Sequence, residues 1–172
     1  MKHLEKDQLE ILLSIIGTTP SHQIAHFTQG GETLIESINQ YCIKQDYRYQ
    51  IHCTTSDFYE TIKDKYQSSE TTHVMNFPLQ RRVYKIQARE YNVLFVSSII
   101  DEENRNDFLK RSHQIIRSAG NIIIFVPKKD YHERDNWVAL LEENLYVSTS
   151  IIDDIFEHYD IIISRKMHGW GD

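Results

Sequence analysis

Tyr91 to Ser98 reads YNVLFVSS, a nearly unbroken apolar run too short for a helix and lacking the polar alternation of a half-exposed strand. Such a run is expected of a strand covered on both faces, and that environment exists mainly inside a parallel sheet with helices above and below. A parallel sheet needs a crossover between strands, so the flanking sequence should alternate strands with helices. It does. HQIAHF at 22–27 is a short strand entering the turn Thr28-Gln29-Gly30-Gly31. From Glu32 to about Gln45, Leu34, Ile35, Ile38, Tyr41 and Cys42 return at helical spacing. YRYQIHCT at 47–54 is aromatic and β-branched, and Ser56 stands where it can cap a helix carrying Phe58, Tyr59, Ile62 and Tyr66.

The remaining chain extends the pattern. Leu4 to Ile16 forms an amphipathic helix with Gly17 as its C-cap, and Thr18 to Ser21 breaks it at Pro20. Thr72 to Phe77 is a weaker strand closed by Pro78, and 79–90 has no assignable pattern. Asp101 to Ser118 is a helix with an acidic first turn, ending at Ala119-Gly120. Asn121 to Val126 is a strand, 128–134 a charged loop, and Asn136 to Tyr146 the last helix. Strands at 147–152 and 159–164 follow without a helix between them, so the last should run antiparallel. The predicted fold is an α/β three-layer sandwich with a mostly parallel seven-stranded sheet. It forms one domain over 1–172: an N-terminal helix to residue 17, a core over 22–166 and a tail over 167–172. Ligands in such sheets bind at the carboxyl ends of the strands, where the strand order reverses.

Composition excludes several functions. The chain has 172 residues, the size of one domain, and a net charge of −6 with no basic block, so neither nucleic acid nor an acidic membrane surface is expected as a partner. Cys42 and Cys53 form no CxxC pair, no apolar run reaches membrane-spanning length, and the charged N-terminus is unlike a secretory signal. A cytoplasmic location is the expectation. Nine dispersed histidines offer no metal-ligand spacing; His22 and His26 lie four apart on a strand, about 13 Å from each other.

In this setting the chain resembles the class I S-adenosylmethionine-dependent methyltransferases over nearly its whole length. IAHFTQGGETLIESI at 24–38 is similar to that family's first strand, glycine loop and helix. FLKRSHQIIRSAGNIIIFVPK at 108–128 and LLEENLYVSTSIIDDIFEHYDIIISRK at 140–166 resemble its later helix, fifth strand and closing hairpin. The resemblance implies a Rossmann-like sheet, S-adenosylmethionine as cofactor and methyl transfer to a small-molecule or protein substrate, with homo-oligomers left open. Such transfer depends chiefly on alignment, so the lack of an obvious catalytic acid or base is no objection. The implied cofactor site is Phe27, Thr28, Gln29, Gly30 and Gly31 at the first turn, Thr54 and Thr55 after the second strand, Met75, Asn76 and Phe77 after the third, and Ser97 after the central one.

The loop departs from the family pattern at specific places. His26 stands for the acid, Thr28 for the first glycine and Glu32 for the third, while Gly30 keeps the second. Cys53 to Ser56 lack the carboxylate that would hold the ribose, a loss worth roughly 10- to 150-fold in affinity. The alternative is therefore a non-catalytic relative acting as a scaffold or partner-binding module, its pocket blocked by Thr28, Gln29 or Glu32. Ser97 and Ser98 lack the G-x-S-x-G setting of a hydrolase. Lys128, Lys129, His132 and Arg134 could touch an anionic substrate, although a solvated loop is the plainer reading.

Overall fold

The computed structural model describes residues 1–87 and 89–169. Seven strands form one sheet: β1 (Gln23–Thr28), β2 (Arg48–Cys53), β3 (Thr72–Asn76), β4 (Tyr91–Val96), β5 (Ile116–Pro127), β6 (Tyr146–Ile152) and β7 (Tyr159–Lys166). Their order is β3-β2-β1-β4-β5-β7-β6. All pairings are parallel except those of β7, which runs antiparallel between β5 and β6. Among the described residues five helices flank the sheet: α1 (Lys6–Ser14), α2 (Glu32–Gln45), α3 (Ser56–Ile62), α4 (Glu102–His113) and α5 (Tyr131–Glu143), with a 310 turn at Lys63–Tyr66. Among the described residues no helix is long and apolar enough to cross a membrane.

Strand alternation divides the core in two. Val93, Phe95, Ile123, Phe125 and Ile161 face α1, α2 and α3, whereas Leu94, Val96, Ile122, Ile124 and Ile162 face α4 and α5. Helices on both faces explain the apolar run at 91–96: Val93 to Val96 are all buried.

Several expected boundaries move. The helix read as Asp101 to Ser118 stops at His113, and Ile116 already pairs with Tyr91, so β5 begins five residues before Asn121. The β-branched pair Ile115 and Ile116, fully buried, enters the sheet instead of extending the helix. A register shift opposite Tyr91 to Val93 then absorbs Arg117 to Ala119, with Ala119 at φ 62°. The charged loop at 128–134 is shorter than expected, because α5 starts at Tyr131, where the Asp130 side chain accepts from the Glu133 backbone N–H at 3.0 Å. Tyr146, read as the end of that helix, opens β6. Thr55, not Ser56, is the N-cap of α3; Ser56 Oγ instead accepts from Asn76 Nδ2 at 3.3 Å. The C-cap of α1 is Ile15 rather than Gly17. The unassigned stretch 79–90 has no helix or strand in its described part, though Tyr84 is fully buried within it. Of the tail, 167–169 follow β7 and the rest lies outside the described residues.

The bulge in β5 fixes Gly120. A Cβ there would stand 2.7 Å from Ile116 Cγ2, 2.9 Å from the Arg117 carbonyl oxygen and 3.0 Å from that of Asn92. Gly120→Ala is expected to cost about 1–3 kcal/mol in urea denaturation, since two of those neighbours are backbone.

Candidate functional site

The sheet reverses its direction of growth between β1 and β4, and the carboxyl ends of these strands carry the polar residues singled out above. His26 is completely buried. Its Nδ1 lies 2.8 Å from the Tyr49 hydroxyl and its Nε2 2.7 Å from Ser97 Oγ. Ser97 donates to Thr28 Oγ1 at 3.0 Å, and Thr28 donates to the Gly30 carbonyl at 2.5 Å. Hydrogen-bond accounting fixes the direction. With the Thr28 and Ser97 protons committed onward, Ser97 can only accept from His26, so Nε2 carries the proton and Nδ1 accepts from Tyr49. The chain runs Tyr49 to His26 to Ser97 to Thr28 to Gly30, each hydroxyl spending its one proton inside the protein.

A second set lies beside it. Thr54 donates to the Thr28 carbonyl at 3.3 Å, so Ser98 must donate to Thr54 Oγ1, 2.7 Å away. The backbone N–H groups of Ser97 and Ser98 both donate to the Phe27 carbonyl, at 3.0 and 3.2 Å. Gln29 reaches across the mouth of the crevice, its Oε1 accepting from the Ile99 N–H at 3.3 Å. Gly31, at φ 86°, is covered by the N-terminus: a Cβ on it would sit 2.8 Å from Met1 Sδ.

The structure places Thr28, Gln29, Gly30, Thr54 and Ser97 next to one another. It bonds them to one another and to Ser98 and Ile99. Phe27 and Phe77 are fully buried, their rings packed against His52 and Tyr84, with the Arg81 guanidinium 4.7 Å from the Phe77 centroid. Met75 packs partly into the same core; Thr55 is exposed at the α3 cap, and Asn76 bonds Ser56. Glu32, offered as a blocking residue, begins α2 and forms no hydrogen bond or ion pair among the described residues. Tyr49, Ser98 and Ile99 were not signalled by the glycine-loop pattern. Strand alternation could have found Tyr49, because β1 and β2 pair His26 with Ile51 and put Tyr49 on the His26 face.

Burial dominates the electrostatics. It drives His26 down to about 3, with His52 adding repulsion, and drives His52 down to about 3, with Arg81 adding to it. Burial also raises Tyr49 well above its ordinary range and Cys53 to about 12. The imidazole next to Ser97 is therefore neutral and a poor proton acceptor, and its proton already faces the serine, so the pair does not form a hydrolytic dyad. Elsewhere, Lys128 and Arg134 approach the buried Asp160 at 3.4 and 3.9 Å, and His132 lies 3.2 Å from Glu102, so those side chains are engaged by carboxylates. Among the described residues no group of three or more His, Cys, Asp or Glu could hold a metal ion.

No protein-family model matches the sequence, and no curated protein matches it. Solved structures match it by shape. An S-adenosylmethionine-dependent O-methyltransferase from Thermotoga maritima superposes with a TM-score of 0.72 at 9% identity, over 100% of this chain and 69% of that one. Human N-acetylserotonin methyltransferase, solved with S-adenosylmethionine, gives 0.71 at 11% identity, over 93% and 52%. The fold is that of the class I methyltransferases. The CurJ carbon methyltransferase gives 0.71 at 9% identity, over 94% of this chain and 54% of that one. The chain spans about half the length of the latter two proteins.

Two predictions follow from the buried imidazoles. Both ring nitrogens of His52 are buried without a hydrogen-bond partner, so His52→Phe should stabilise the protein at pH 7 by about 1–3 kcal/mol in chemical denaturation. Unfolding also restores both histidines to an ordinary value near 6.5. Stability is thus full above that pH and falls below it as the unfolded chain takes up protons, by about 1.4 kcal/mol per pH unit per histidine down to about pH 3. Denaturation midpoints at pH 7.5 and 5 should show His52→Phe losing roughly 2 kcal/mol less than the wild type.

Proposed function

We propose that this chain is a non-catalytic bearer of the methyltransferase fold that acts as a scaffold or partner-binding module. The observation that carries the reading is the inward hydrogen bonding between the ends of β1 and β4, where Gln29 bonds Ile99 and the Tyr49-His26-Ser97-Thr28-Gly30 chain keeps its protons within the protein. A cofactor that took its polar contacts from this loop would compete with the Gln29–Ile99 and Ser97–Thr28 bonds. At about 1 kcal/mol each, that lowers affinity roughly 30-fold before any ligand contact is counted. The positions that would repay the loss are a histidine in place of the loop's acid and, after β2, hydroxyls in place of the ribose carboxylate.

The competing reading is an S-adenosylmethionine-dependent methyltransferase of unknown substrate. Its support is the likeness, over 93% of this chain, to a structure solved with that cofactor. One titration separates them. Calorimetry and thermal-shift assays with millimolar S-adenosylmethionine and its demethylated product should give neither heat nor a shift in Tm. Saturable binding of either would overturn the non-catalytic reading.

A further inference from the structure

Between β3 and β4 the chain forms no helix, and the irregular segment that replaces it crosses the sheet face carrying Phe27 and His52. Along that face a helix would require apolar side chains beneath it. Two-residue steps back from Phe27, His52 and Met75 lead past the small Ala25 to Gln23, to Gln50 and Arg48, and to His73. These residues, with Tyr91 and with Arg89 from the end of the irregular segment, line a small pocket at the amino-terminal end of the sheet, opposite the crevice described above.

The pocket is basic. Arg48, Arg89 and His73 come from three separate strand entries, and no carboxylate lines the cavity. The nearest acid in sequence, Glu90, is taken by Lys85 at 3.3 Å. Among the described residues neither arginine makes an ion pair; the Arg89 guanidinium donates a long bond, 3.4 Å, to the Gln87 side-chain oxygen. In a chain with a net charge of −6, two arginines and a histidine lining one cavity without a carboxylate form a complement to an anion. The cavity measures about 20 Å3, and a single water needs roughly 10–15 Å3. One or two oxygens of an oxyanion fit, with the remainder of the ligand projecting into solvent, whereas a nucleoside does not fit inside.

We propose that this pocket binds the phosphate group of a small phosphorylated molecule, held by Arg48 and Arg89 with His73 beside it. The doubly charged tetrahedral group matches two guanidinium forks better than a carboxylate does. The site is independent of the crevice and stands whether or not that crevice accepts a cofactor.

The test uses the full chain and inorganic phosphate, with sodium chloride and acetate at matched ionic strength as the comparison arms. Saturable binding by calorimetry and a higher Tm are expected in phosphate alone. Arg48→Gln and Arg89→Gln, both at exposed positions, should each weaken binding roughly 10-fold or more. Amide chemical shifts should move at Gln50, His73 and Tyr91. A phosphate response equal to that of chloride or acetate, unchanged affinity in the double variant, or shifts centred on Thr28 to Gly31 would each overturn the assignment.

Discussion

A completely buried imidazole has to satisfy both of its nitrogens or leave a costly unpaired group in the core. His26 meets this constraint by taking a proton acceptor role toward Tyr49 and a donor role toward Ser97, which ties β1 to β2 on one side and to β4 on the other. The arrangement of the crevice follows. Ser97 must accept from His26, Thr28 must accept from Ser97, and the Thr28 proton then goes to the turn at Gly30. A carboxylate at position 26 could only accept hydrogen bonds, so a chain running in this direction would not form. The histidine therefore sets the direction in which each hydroxyl donates. It organises the neighbouring hydroxyls into a set that turns inward.

This separates architecture from activity. The sheet order, the antiparallel β7 and the two apolar faces depend on alternating burial, and proteins with about 10% identity reach the same arrangement. The reaction carried by such a fold depends on a few atoms at the strand ends, and in this chain the polar groups at the ends of β1 and β4 are bonded to one another. Likeness of fold is thus compatible with an altered or absent reaction.

Much of the sheet was legible in the sequence because its signals are local. The run at 91–96 and the isoleucines of 122–124 and 161–163 are continuous apolar stretches, and the Gly-Gly turn before α2 marks the first crossover. Boundaries failed where a competing interaction decided them. Helical spacing carried α4 through Ile115 and Ile116, but burial against the sheet claimed both residues, and the bulge at Ala119 has no composition signal. Asp130 was read as part of a loop because its capping bond to Glu133 is a matter of three-residue geometry within a charged stretch. For the site, the residues of the glycine turn were identifiable, while their partners Tyr49, Ser98 and Ile99 come from other strands and loops and depend on register. The arginine pocket was invisible for the same reason: Arg48, His73 and Arg89 are unremarkable apart, and only the pairing of β1, β2 and β3 and the path of the irregular segment unite them.

The outermost strand carries a further consequence. The β6–β7 register shifts between Val147 and Ser150, and Ser148 sits at φ 55°. An incoming extended chain seeking to continue the sheet would meet a kinked margin instead of a regular ladder of donors and acceptors, with Val147 and Ile151 partly open to water beside it. On this side the isoleucine-rich strands further in are separated from solvent by a margin ill suited to recruiting foreign segments.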